Sequence, residues 1–182
     1  IWSGGLKAVI RTDFFQFSLM FSGFVMLLFY SAQFSDFSFE IFKSLPSNLF
    51  HPTGGASIRY IAAWFFIALW TFVDPGFYQR CAAAKSPRTA RHGILLSVCF
   101  WLIFDMLTLF SGLYARALLS DIDPSLSYLK LAELVLPPFA IGIFFIGMLS
   151  VIMSTIDSLT FIGATTFGRD ILWRIQNTQG AE

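Results

Sequence analysis

GMLSVIMSTIDS, residues 147–158, lies inside an apolar run that extends from Pro137 to about Phe167. That run is long enough for a bilayer crossing, since about 20 apolar residues span the ~30 Å hydrocarbon core. Yet it carries Ser154, Thr155, Asp157 and Ser158 where hydrocarbon-compatible side chains are expected. At about 100° per residue, Val151, Ser154, Thr155 and Ser158 share one helical stripe, and Asp157 lies roughly 60° from Ser154. An ionisable group inside a membrane helix is costly, so a polar seam with an acid beside it reads first as an ion or substrate pathway.

Composition carries the same message outward from this helix. The chain is 56% hydrophobic and only 13% charged, against about 25% charged in an ordinary soluble domain. Twenty-three Phe and five Trp leave too little polar surface to coat a soluble core of this size. The expected class is therefore an all-α, polytopic membrane protein in a cell membrane (plasma or inner), in contact with the lipid bilayer. Spans are expected at about residues 7–32, 57–74, 93–119 and 137–167 of a single membrane domain. The chain opens on Ile1 rather than Met with no signal peptide before its first apolar run, so it is expected to be an internal piece of a longer protein.

The first span has a polar entrance, with Gly4, Gly5, Lys7, Arg11, Asp13 and Gln16 ahead of the apolar run that starts at Phe17. Asp13 either pairs with Arg11 or Lys7 at the interface or serves a function. Residues 33–59 form a Pro- and Gly-containing loop, expected outside, with a short helix near residues 37–43. The second apolar stretch stops at Asp74-Pro75-Gly76 after about fourteen residues, short for a continuous crossing. Either the helix ends there in a plain turn, or it is a broken helix of the kind that lines a cavity.

Residues 77–92, with Arg80, Lys85, Arg88 and Arg91, read as a basic cytoplasmic loop. Asp105 sits near the middle of the third span, as a coupling group, a structural hydrogen-bonding group or a water-facing one. Residues 120–133 read as an outer loop, and the last helix is expected to end near Gly168. With the N terminus inside, Lys7, Arg11, the four basic residues of 77–92, Arg169 and Arg174 face the cytoplasm, eight of the twelve basic residues.

Three stretches, GGLKAVIRTDFFQ (4–16), DPGFYQRCAAAKSPRTAR (74–91) and LPPFAIGIFFIGMLSVIMSTIDS (136–158), stand in an order and at separations that resemble the sodium:solute symporter family. The resemblance implies part of a leucine-transporter-type fold, two inverted five-helix repeats around a midplane site, with the four spans as core helices five to eight. It implies Na+ as the coupled ion, bound by the hydroxyls of Ser154 and Thr155 and the carbonyl of Val151. The remaining ligands would come from helices of the full-length chain that lie outside these residues. A second sodium site, found in some members, would draw on Asp13, Asp157 and Ser158; this chain has a carboxylate at 157 where the two-sodium members have a hydroxyl. The resemblance also implies an aromatic inner gate at Trp70, with Phe66 the lesser candidate; Asp105 joins them as a substrate or gate residue on the ground of its charge within a span.

The function expected is sodium-coupled symport of a small organic solute. A solute-sensing domain attached to a kinase and a proton-coupled transporter are the alternatives. No enzyme is expected, because no paired carboxylates, Ser/His or Cys/His constellation occurs, His51 and His92 lie in separate loops, and there is no P-loop. Cys81 and Cys99 make neither a disulfide framework nor a metal motif. Nothing in the short basic stretch suggests nucleic acid.

Overall fold

The computed structural model describes residues 4–119 and 122–178, all of whose regular elements are helical. Helix α1 runs over Gly5–Phe34, α2 over Ile58–Ile67, α3 over Pro75–Ala82, α4 over Pro87–Leu118, α5 over Ser127–Val135, α6 over Pro138–Thr165 and α7 over Trp173–Thr178. Among the described residues three helices are long and apolar enough to cross a membrane: α1, α4, and α6 with its continuation. Ile58–Phe72 and Pro75–Ala82, bent by 43° at the break between them, make a fourth if taken as one broken span.

Local chemistry accounts for the breaks. Asp74 has extended backbone and its carboxylate accepts from the Phe77 N–H (3.0 Å), while Pro75 takes the first helical position. Ser86 and Pro87 repeat the arrangement at the start of α4, with the Ser86 hydroxyl accepting from the Thr89 N–H (3.2 Å). An N-cap acceptor followed by Pro satisfies an orphan N–H and pre-sets φ, so both sequences start helices as firmly as they stop the preceding segment. Only residues 83–86 of the basic stretch 77–92 therefore lie outside a helix. That corrects its reading as a loop, in which positive charge was mistaken for irregular backbone. Within residues 33–59 the short helix is a 3-10 turn at Phe39–Ser44, followed by a second at Ser47–Phe50. Ser120 and Asp121, expected to open the outer loop, lie outside the described residues, and most of the remainder of that loop is helix α5. The last helix does not stop near Gly168 but passes through a π-helical stretch, Thr166–Leu172, into α7.

Helices α1 and α6 form the spine, and they are antiparallel. Asp13 meets Ser154, Leu19 lies against Gly147, and Gly23 lies against Phe144. The packed core occupies one half of this pair. There Phe24 touches Phe104, Tyr128 and Phe144 edge to face at ring separations of 5.1, 5.4 and 5.5 Å. Leu27, Leu131, Ala132 and Phe144 are fully covered around it. Within lipid such contacts act through packing rather than water exclusion, so a void there cannot be offset by solvent. We expect Phe144→Ala to lower the stability of the detergent-solubilised full-length protein by about 2–4 kcal/mol. A fall in its thermal-unfolding midpoint checks this. Aromatic contacts continue along α1 through Phe21 to Phe17, which meets Phe100 of α4 at 5.2 Å, and the polar seam lies beyond them, toward Asp13.

Candidate functional site

Asp13 is on the third turn of α1, and the antiparallel register brings it to Ser154 of α6. The Ser154 hydroxyl donates to Asp13 Oδ1 (2.9 Å). Arg80 of α3 reaches the other oxygen, with Nη2 3.2 Å from Asp13 Oδ2. The same nitrogen donates to Ser158 Oγ (3.0 Å), one turn beyond Ser154. One carboxylate, two hydroxyls and one guanidinium from three helices thus form a single network. Asp13 is the better shielded end of the ion pair, its side chain 22% exposed against 44% for Arg80.

Two details hold α3 in this place. Gln79 Nε2 donates to Thr165 Oγ1 of α6 (3.2 Å). Gly76 is buried, and a Cβ there would lie 3.0 Å from Asp74 Oδ1 and 3.2 Å from both Arg80 Nη1 and Ile162 of α6. Arg80 Nη1 also reaches the Gly76 carbonyl (3.4 Å), which steadies the guanidinium on its own helix.

Next to this network on α6, the Thr155 hydroxyl donates to the Val151 carbonyl (3.1 Å). Two oxygens at that separation match neighbouring ligands of a calcium-sized hard cation, which binds oxygen at about 2.3–2.6 Å; a cation there would replace this hydrogen bond, the hydroxyl keeping its proton and turning it away. Ser154 already gives its proton to Asp13 and keeps its lone pairs free. On α1, Gln16 is buried, and its Oε1 has no hydrogen-bond partner. The register sets it level with Ser150 and Val151. Among the described residues no three His, Cys, Asp or Glu side chains converge, so the oxygens available here are hydroxyl, amide and carbonyl with one carboxylate.

Of the residues singled out in the sequence, the fold joins Asp13, Ser154 and Ser158 and sets Val151 and Thr155 beside them. Asp157 is half-buried and has no hydrogen bond or ion pair among the described residues. Asp105 is exposed on α4, where its backbone carbonyl accepts from Thr108 Oγ1 (3.1 Å). Phe66 and Trp70 are also exposed, on α2 and the 3-10 turn that follows it. The pairing of Asp13 with Lys7 or Arg11 is replaced by the contact with Arg80. Residues two and six positions away point to other faces of a helix. Sequence reading missed Gln79 and the site roles of Arg80, counted only as a topological charge, and of Gln16, counted only as part of a polar entrance. The available signal was Asp74-Pro75: read as a helix start, it puts Gly76 and Arg80 one turn apart on one face.

Comparison with known proteins follows the same lines. The family model described as "Sodium:solute symporter family" matches residues 1–182. A sodium/pantothenate symporter of Haemophilus influenzae is 26% identical over 92% of this chain and 36% of its own length. Its counterpart in Escherichia coli is 27% identical over 97% of this chain and 38% of its length. The high-affinity proline transporter PutP of Bacillus subtilis is 24% identical over 92% and 37% respectively. The chain spans a little over a third of the length of these relatives. No solved structure gives a significant match.

Proposed function

The chain belongs to the sodium:solute symporter family, and from that premise we propose that it is the part of a cell-membrane, sodium-coupled importer of a small organic solute that supplies half of the sodium site. Val151 O, Ser154 Oγ and Thr155 Oγ1 are assigned to that ion. The observation that carries the assignment is the 3.1 Å pair of oxygens at Val151 and Thr155 beside a Ser154 hydroxyl whose proton is held by Asp13. Sodium is a hard cation suited to such neutral oxygens, and the carboxylate one atom behind Ser154 supplies negative potential without being a ligand. The buried, unpartnered amide oxygen of Gln16 at the same level adds a further acceptor.

In this reading α1, the bent pair α2–α3, α4 and α6 are core helices five to eight of a leucine-transporter-type inverted-repeat fold. The remaining sodium ligands and most of the solute cavity come from other helices of the full-length protein, and Trp70 and Phe66 are assigned to the inner gate. Sodium bound on α6 holds that helix against its partner across the site and favours the state that binds solute. By linkage, solute must raise sodium affinity by the same factor.

The test is uptake by the full-length protein in vesicles as sodium is varied. Ser154→Ala and Thr155→Ala are each expected to weaken apparent sodium affinity by at least roughly tenfold, about 1.4 kcal/mol, at similar expression. A double variant with an unchanged sodium half-saturation overturns the assignment, and uptake that follows pH while ignoring sodium overturns the coupling ion.

A further inference from the structure

We propose that the hollow between α3 and α4, with Lys85 and Arg91 on one wall and Ile94 and Leu95 on the other, binds an anionic phospholipid of the cytoplasmic leaflet. Its phosphate lies against the two cations, and an acyl chain follows the exposed face of α4. The site is separate from the sodium assignment and stands whichever ion drives the solute.

Small residues make the hollow. Ala82 and Ala84 at the end of α3 and Ala90 on α4 leave about 670 Å³ in the angle between the two helices, within the range of about 300–1,000 Å³ found for small-ligand sites. The turn between the helices is fixed. The Ala84 N–H donates to the Cys81 carbonyl (3.2 Å), and the Ala90 N–H donates to the Ser86 carbonyl (3.0 Å). Among the described residues no acid lines the hollow, and the side chains of Lys85, Arg88 and Arg91 have no ion-pair or hydrogen-bond partner. Arg80, by contrast, is turned to Asp13. Unpaired basic groups between membrane helices on the cytoplasmic side suit phosphate headgroups.

Depth selects a lipid over a soluble anion. The contacts of Arg80 with Asp13 and of Gln79 with Thr165 put the start of α1, the α3–α4 turn and the far end of α6 at one end of the molecule. That end carries eight of the twelve basic residues and so faces the cytoplasm. From Gly93 to Ala115, α4 holds one charged residue, Asp105, and measures about 34 Å at 1.5 Å per residue, close to the ~30 Å hydrocarbon core. Arg91 and Arg116 thus stand at its two edges, and the hollow beside Arg91 lies at headgroup level. At about 100° per residue, Ile94, Leu95, Val98 and Leu102 continue the stripe of Arg91 into the bilayer, and all four are exposed. Leu102 is about 16 Å along the helix from Arg91, half the core thickness. An acyl chain of that leaflet therefore ends before Asp105.

The test is a titration of full-length protein, purified in a nonionic detergent at fixed concentration, with dioleoyl phosphatidylglycerol. Its thermal-unfolding midpoint should rise and saturate. Dioleoyl phosphatidylcholine, with the same phosphate and chains but no net charge, should require at least roughly tenfold more lipid, and inorganic phosphate should give no rise. Lys85→Gln with Arg91→Gln should raise the half-saturating phosphatidylglycerol at least roughly tenfold. Lys7→Gln with Arg11→Gln loses the same charge from the same end but outside the hollow, and should leave it within about twofold. Ala90→Trp keeps every charge and fills the hollow, so it should weaken the response as the first pair does; it also covers the case in which that pair fails to fold. An equal response of the two double variants means diffuse attraction to the surface and overturns the site. So does phosphatidylcholine as effective as phosphatidylglycerol, or inorganic phosphate as effective as either. No response to any lipid, as when another part of the full-length chain fills the hollow, overturns it too.

Discussion

Replacing Gly147 by leucine is expected to remove the folded full-length protein from membrane extracts, the largest effect of any single substitution considered for this chain. A Cβ at this position would lie 2.9 Å from the Leu19 carbonyl oxygen and 3.5 Å from the Met20 Cα, both backbone atoms of α1. Backbone cannot rotate aside as a side chain can, so the two helices must separate. Separation loosens the contacts that Asp13 makes with Ser154 and the packing of Phe144 against Gly23. Even alanine overpacks here, at about 1–3 kcal/mol, and a branched or longer side chain exceeds that. Small residues where membrane helices approach closely serve this purpose generally.

Gly142 and Gly163 on the same helix provide the internal control, because a Cβ at either meets nothing within 4 Å. Alanine there is expected to be neutral or stabilising by up to about 1 kcal/mol, from helix propensity. Size-exclusion profiles and unfolding midpoints of the detergent-solubilised variants compare the three positions. Equal loss at Gly142 and Gly147 would sink the argument from close approach.

Asp13→Ala should have the second largest effect, on transport more than on folding. It deprives Arg80 of its counter-charge and the Ser154 hydroxyl of its acceptor in one step. Stranding one member of a fully buried ion pair costs about 3–5 kcal/mol. Arg80 is nearly half exposed, and solvent reduces the figure. About 1–2 kcal/mol is expected, seen as a fivefold to thirtyfold weakening of apparent sodium affinity. Asp13→Asn, which keeps an acceptor for Ser154 but no charge, should fall between wild type and Asp13→Ala. Ala substitutions at Asp13 and Arg80 together should destabilise by less than the sum of the single changes, as expected of residues in contact. Strict additivity in that cycle would mean that the ion pair has no energetic content.

How far the sequence could carry this reading depends on the range of the interaction concerned. The apolar runs around residues 17–30, 93–104 and 137–153 announce membrane helices because composition alone decides them. The stripe of Val151, Ser154, Thr155 and Ser158 is legible because it depends only on helical period. What period cannot show is the partner. Arg80 lies 67 positions from Asp13, and nothing local distinguishes it from Lys7 or Arg11. Helix boundaries at 75–92 were obscured for a related reason: hydropathy reports lipid exposure, and two helix ends that carry Arg80, Arg88 and Arg91 on either side of Lys85 score like a loop. Gln16 is read from sequence only as part of a polar entrance, because a polar residue near a membrane entrance is ordinary. Only its burial and its lone amide oxygen set it apart.

Aromatic contacts run along α1 from Phe24 to Phe17, but only the Phe24 end is fully buried against α6, which makes the two helices a pair of tweezers with its fulcrum at Phe24. Asp13 lies eleven residues from that fulcrum, a lever arm of about 16 Å at 1.5 Å per residue. A tilt of α1 by roughly 10° swings Asp13 through about 3 Å, close to the 2.9 Å that joins it to Ser154. A small rocking of one rigid rod is therefore enough to exchange one partner of this carboxylate for another, with no change in the backbone of either helix.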